Sequence, residues 1–203
     1  IERSSNIGMT KVVMPHLEYP QQFKECLTEI GFFEPMNLHI AGERVPRIRN
    51  LGNSNWDYID ASRMTYGYAT EIPPIYTLSI YNAIANGGKM VRPRFVKAEL
   101  KDGMVLREFP TEVIKERICK PSTLRDIQYC LEHVVSGGLG KKAGNGGKLF
   151  KVSGKTGTAQ FSENGSYAGR KYMVSFCGYF PSDEPKYSCI VCIKKQGLPA
   201  SGG

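Results

Sequence analysis

Apolar residues recur every three to four positions in three stretches, the spacing of one helix face. The first is residues 20–30, where Phe23, Cys26, Leu27 and Ile30 fall on one side and Gly31 supplies a stop. The second runs from Pro73-Pro74 to about Asn86, with a stripe of Ile75, Leu78, Tyr81, Ile84 and Ala85 before Gly87-Gly88. Proline suits a first helical turn and glycine a helix end. The third starts near Ser122, carries Leu124, Ile127, Leu131, Val134 and Val135, and ends at Gly137-Gly138. A shorter helix is expected within residues 4–14, stopped by Pro15.

Between these stretches the pattern changes. Residues 34–66 are rich in Pro, Gly, Asn and Arg and read as a long surface excursion, with Trp56 in a surface or packing role. Residues 94–109 read as a hairpin turning at Lys101-Asp102-Gly103, and 137–148 as a Gly- and Lys-rich loop. From Lys148 onward the pattern is β. Leu149–Gln160, Lys171–Phe180 and Lys186–Lys195 are three strands separated by turn residues, which predicts an antiparallel meander. Helices that precede a sheet and segregate from it make the class mixed α/β, an antiparallel sheet flanked by helices.

Composition adds bounds. The chain has 203 residues, 41% hydrophobic and 23% charged, ordinary values for a globular domain. No apolar run approaches the ~18 residues of a membrane helix. The first residues, Ile1-Glu2-Arg3-Ser4-Ser5-Asn6, read as the middle of a fold and the last, Pro199-Ala200-Ser201-Gly202-Gly203, as a cut loop, so a longer parent protein is expected. The net charge of +8 is spread out, apart from small groups at Arg44, Arg47 and Arg49 and at Lys141-Lys142. Nothing resembles a nucleic-acid-binding module, so no nucleic acid is expected as a partner. Cys189 and Cys192 form a C-x-x-C, but their context reads as a strand, where residues three apart face opposite ways. No second pair completes a zinc set, and no metal or cofactor is implied.

The most informative stretch is Val152-Ser153-Gly154-Lys155-Thr156-Gly157-Thr158-Ala159-Gln160. Two glycines within a strand cost stability unless another chain must approach the backbone closely. A lysine and hydroxyls beside them suit a carboxylate. Far upstream stands Ser4-Ser5-Asn6, followed by Ile7-Gly8-Met9. These two stretches resemble the K-T-G and S-x-N motifs of penicillin-binding proteins and serine β-lactamases. Tyr66-Gly67-Tyr68, Pro73-Pro74, Ile84-Ala85-Asn86-Gly87-Gly88-Lys89 and Pro93 resemble the run those transpeptidases carry between the motifs. The likeness covers nearly the whole chain and is strongest to the monofunctional class B proteins of the septal type.

The resemblance implies a β-lactamase/transpeptidase-like fold, incomplete at both ends. Residues 1–70 would form a helical lobe with S-x-N, and 71–203 a helix-plus-sheet lobe with K-T-G. It implies a peptidoglycan D,D-transpeptidase that takes D-Ala–D-Ala stem peptides, binds β-lactams and needs no cofactor. Partners would be a membrane glycosyltransferase and division proteins, at the periplasmic face of the inner membrane. Ser4, Asn6 and Lys155 would be catalytic. Thr156, Gly157 and Thr158 would bind substrate, with the Thr158 N–H supplying half of an oxyanion hole. The family nucleophile is the serine of S-x-x-K, and no serine here has lysine three positions later. The nucleophile is therefore absent from this chain, which is expected to be inactive alone. A serine β-lactamase, or a noncatalytic binding module of the same fold, is the alternative.

Simple alternation leaves one conflict: it puts Thr156 and Thr158 on one face and Lys155 on the other. The histidines His16, His39 and His133 come without a G-x-S-x-G elbow, and His133 reads as structural.

Overall fold

The computed structural model describes residues 1–19, 21–48, 58–144, 150–163 and 166–197. Trp56, Arg49 and Leu149 lie outside them. The elements in order are α1 (Asn6–Val13), a 3-10 turn (Met14–His16), α2 (Gln22–Glu29), β1 (Arg47–Ile48), α3 (Tyr58–Met64), β2 (Thr70–Glu71) and α4 (Pro74–Ala85). There follow β3 (Met90–Val91), β4 (Ala98–Lys101), β5 (Met104–Glu108), β6 (Val113–Lys115), α5 (Pro121–Ser136), α6 (Lys141–Gly144), β7 (Ser153–Glu163), β8 (Ser166–Phe180) and β9 (Tyr187–Gln196).

The expected meander is present. β7, β8 and β9 form an antiparallel sheet in that order, so β7 is an edge among the described residues. Its register, Ser153↔Tyr179 through Gln160↔Tyr172, runs unbroken beside β8. The glycines explain how tightly the two strands pair. A Cβ on Gly178 would sit 2.4 Å from the Ser153 carbonyl, and one on Gly154 would sit 2.7 Å from the Cys177 carbonyl. A Cβ on Gly157 would meet the Ser175 hydroxyl at 2.6 Å. The chain that approaches Gly154 and Gly157 is β8 itself, and β7 in turn approaches Gly178.

α4 and α5 pack against this sheet. Ile84, Leu124, Leu131 and Tyr179 form a buried cluster joined by Ile80, Tyr81 and Ile127. Ile80 also borders a second cluster, in which Phe32, Met36 and Leu38 surround Tyr76. The α4 stripe differs from expectation. Tyr76, Ser79, Ala83 and Ile84 are its buried residues, while Ile75, Leu78 and Tyr81 are only partly covered. The helix is apolar nearly all round and meets several elements, so periodicity alone cannot pick its deepest side. On α5 the buried face is Leu124, Leu131, Val134 and Val135, as expected, with Ile127 at its margin.

Residues 34–66 are less irregular than the sequence suggested. Met36 and Leu38 are buried, and the segment contains α3, whose Ala61 and Met64 pack with Met14, Phe23 and Ile48. Two small or flexible apolar residues in Tyr-Ile-Asp-Ala-Ser-Arg-Met make too weak a stripe to stand out. The loop 137–148 likewise contains the short α6, and Cys26 on α2 is exposed. β4 and β5 form the expected hairpin, turning at Asp102 and Gly103 with positive φ, and all five residues of β5 are exposed. Cys189 and Cys192 both lie in β9, paired with Gly178 and Ser175. No helix among the described residues is long and apolar enough to cross a membrane.

Candidate active site

The helical wall of the site begins with a turn closed by the Ser4 N–H on the Ile1 carbonyl. Ser4 has φ 50, a left-handed conformation that costs a non-glycine residue about 1–2 kcal/mol. Ser5 is the N-cap of α1, its hydroxyl accepting from the Gly8 N–H at 3.0 Å. The middle residue of Ser4-Ser5-Asn6 therefore starts the helix, as hydroxyls do at this position. That frees the Ser4 side chain to turn the other way. α1 is fastened along its length by Thr10, whose hydroxyl shares a hydrogen bond with the Thr65 hydroxyl at 3.2 Å.

The sheet wall is the edge of β7. The Lys155 ammonium donates to the Ser4 hydroxyl at 2.7 Å, joining residues 151 positions apart, and to the Thr156 carbonyl at 2.8 Å. Lys155 is half-buried, and that burial lowers its pKa from the ordinary 10.5. The second bond resolves the alternation conflict. The Gln160 N–H donates outward to the Tyr68 hydroxyl at 3.2 Å, away from β8. In an antiparallel ladder every second residue shares that orientation. With the register unbroken, Thr158 and Thr156 also present their backbone N–H and C=O to the free edge. The Lys155 chain lies on the helix-facing side with Cys177, but its ammonium reaches the Thr156 carbonyl at the rim. The cleft thus runs along the edge of the sheet, where residues of both faces can serve it.

The sequence-predicted residues fall as follows. Ser4 and Lys155 are in direct contact, and Thr156, Gly157 and Thr158 continue the same edge, Thr158 exposed. Asn6 is exposed in the first turn of α1, two residues from Ser4. Sequence reasoning missed Tyr68, whose position follows from the end of α3. The Tyr68 N–H returns to the Arg63 carbonyl and the Gly67 N–H to that of Met64, with Gly67 at φ 94. This is the glycine helix stop with paired 6→1 and 5→2 bonds, and Tyr-Gly-Tyr after a helix was its available signal. His133 is structural, with Nδ1 2.9 Å from the Tyr129 carbonyl and its ring 4.0 Å from that of Tyr129.

A cavity of about 560 Å³ lies elsewhere, between Asn37–Ile40 and the segments around Arg92 and Phe109. Its two arginines are engaged, Arg92 with Glu112 and Met36 and Arg94 with Phe109.

The model of the penicillin binding protein transpeptidase domain matches residues 1–203. The chain belongs to that family. It is 29% identical to stage V sporulation protein D of Bacillus subtilis over 87% of its own length and 27% of that protein. It is 27% identical to the probable peptidoglycan D,D-transpeptidase PenA of Neisseria meningitidis over 95% of its length and 30% of that protein. Penicillin binding protein 3 of Mycobacterium tuberculosis, solved with aztreonam, superposes with a TM-score of 0.80 at 25% identity. That match covers 98% of this chain and 45% of the solved one. The chain thus spans about a third or less of the curated relatives described here.

Proposed function

We propose that this chain forms two walls of the active site of a serine-type peptidoglycan D,D-transpeptidase. The observation that carries the reading is the Ser4–Lys155 bond, which joins the S-x-N turn to the K-T-G edge. Three groups then line one groove: a hydroxyl on a cation, the threonine hydroxyls, and outward backbone donors. A D-Ala–D-Ala donor would place its terminal carboxylate against Thr156 and Thr158. Its scissile carbonyl would point at the Thr158 N–H, a donor of a kind worth about 3 kcal/mol in a transition state. Asn6 would hold the donor amide, and Gly157 would keep the strand close to β8.

The reaction is acyl transfer in two steps. A serine outside these residues attacks the scissile carbonyl, the C–N bond breaks, and D-alanine leaves with a proton relayed by Ser4. The amine of a neighbouring stem peptide then attacks the ester and restores the serine. Lys155 keeps the relay charged and oriented. β-Lactams would stall the ester, consistent with the aztreonam complex of the solved relative. The likeness to class B proteins supports a septal role and a membrane-anchored parent facing the periplasm. A polymerising glycosyltransferase and division proteins would be its partners.

A fluorescent penicillin tests the reading. The 203-residue chain alone should show no labelling above a denatured control, since no S-x-x-K lies within it. A full-length protein that carries an S-x-x-K segment should label stoichiometrically, and Lys155→Ala in it should slow acylation by orders of magnitude. Labelling of the bare chain would place the nucleophile among these residues and overturn the assignment. A parent protein that does not label would overturn the reaction.

A further inference from the structure

The two hydrogen bonds that reach β7 from the helical wall stand at either end of one stretch of edge. Ser4 meets the Lys155 side chain, and the Tyr68 hydroxyl receives the Gln160 N–H. Five residue steps of strand separate them, about 17 Å at the usual rise. Between them only Thr156 and Thr158 turn their backbone groups outward, by the alternation established above. Gln160 would be the next in that series, and Tyr68 already holds its donor.

Tyr68 is held in place by its own surroundings. The α3 stop fixes its backbone, and its ring stands edge-on to that of Tyr66 at 5.7 Å. Met64 and Ala61 are buried one and two turns earlier and anchor the helix. The hydroxyl is thus brought to Gln160 by folded structure. It accepts the N–H, which leaves its own proton for another partner.

Under the proposed reaction the donor carboxylate lies toward Thr156 and the scissile carbonyl at Thr158. The donor therefore runs antiparallel to β7, and its upstream residues pass toward Gln160. In antiparallel pairing, if Thr158 pairs with the acyl-donating residue, Gln160 would pair with the residue two positions upstream of it. We propose that Tyr68 is a specificity-determining positioning residue that caps this backbone donor, ends strand pairing at Thr158, and turns the upstream part of the donor off the sheet. The proposal rests on the transpeptidase reading. It makes recognition at the edge depend on the last residues of the donor and not on the length of the stem.

Two measurements on the full-length protein test it. The first is amide exchange at Gln160. Tyr68→Phe keeps the ring and removes the hydroxyl, and exchange there should speed up about tenfold while the amides paired with β8 stay protected. The second is acylation by two donors, one ending in D-Ala–D-Ala with a simple acyl group and one carrying two further residues upstream. In the native protein their second-order constants should agree within about twofold. In Tyr68→Phe the long donor should gain about fivefold, roughly one neutral hydrogen bond, and the short one should not change. Gln160→Pro removes the N–H at an edge position that tolerates proline and should give no such gain. An unchanged exchange rate, or an unchanged ratio of long to short donor in Tyr68→Phe, overturns the proposal. Failure of both donors to acylate the native protein would refute the reaction and with it the substrate role. The exchange rate would then still report whether Tyr68 caps the edge.

Discussion

The two walls of the cleft are built to different standards. The sheet wall rests on side chains that are almost wholly enclosed: Val134 and Tyr179 at 0% exposure and Leu131 at 3%. Its strands approach so closely that only glycine fits at 154 and 178. The part of the helical wall that carries Ser4 has no buried residue in α1 and depends on a few polar bonds, from Ser5, Thr10 and Ser4. Lys155 therefore has a fixed origin, while Ser4 is placed by hydrogen bonds that are individually worth about 1 kcal/mol. A site with one stiff and one lightly held wall can admit a third element between them without unpacking its core.

Substitutions of falling severity test that contrast. Leu131→Ala empties part of the cluster under the sheet and should cost about 3 kcal/mol, read as a fall in the denaturant midpoint. A cost below about 1 kcal/mol would mean the sheet wall is not the stiff one. Gly178→Ala forces a Cβ against the Ser153 carbonyl and should cost about 2 kcal/mol, again in denaturant. Ser5→Ala removes the cap of an exposed helix and should cost about 1 kcal/mol or less globally. Its clearer effect should be local, as faster amide exchange at Gly8 with unchanged protection in β7 and β8. Equal loosening of both regions would erase the distinction between the walls.

The smallest effect is electrostatic. The folded pKa of Lys155 is lowered by burial, so the folded state holds its proton less tightly than the unfolded chain. Stability then rises with pH between the folded value and the ordinary 10.5, and the cost of the buried charge is felt in full below that window. Relative to Lys155→Met, which titrates nothing there, the native protein should gain stability as pH climbs toward 10.5. A gap that does not change with pH would show that Lys155 is solvated like any surface lysine.

Much of this fold was readable because its signals are local. The meander, the hairpin at Asp102-Gly103 and the α5 face follow from periodicity and turn residues within short windows. α3 was hidden because its larger apolar residues, Tyr58 and Ile59, are exposed while Ala61 and Met64 are the buried ones, and that burial depends on Met14 and Phe23 far away in the chain. The site was readable only through its motifs. Nothing in the spacing of Ser4 and Lys155 implies contact, and alternation argued against a shared cleft for Lys155 and Thr158. What the sequence could not express is that the ammonium reaches over the strand edge. Tyr68 stands in a family-like run, but its bond to Gln160 is a tertiary fact with no local pattern.

The central strand carries one further consequence. Cys177 lies on β8 between both neighbours, 4% exposed, and burial pushes its thiol up to about 12. Cys26, Cys189 and Cys192 are all at the surface. An alkylating reagent at neutral pH should consume those three first, because the thiolate is the reacting form. Cys177 then becomes a stopwatch: its modification has to wait for the sheet to part from the helices packed on it. Counting adducts against time would show how often the cleft's stiff wall breathes, with no probe added to the protein.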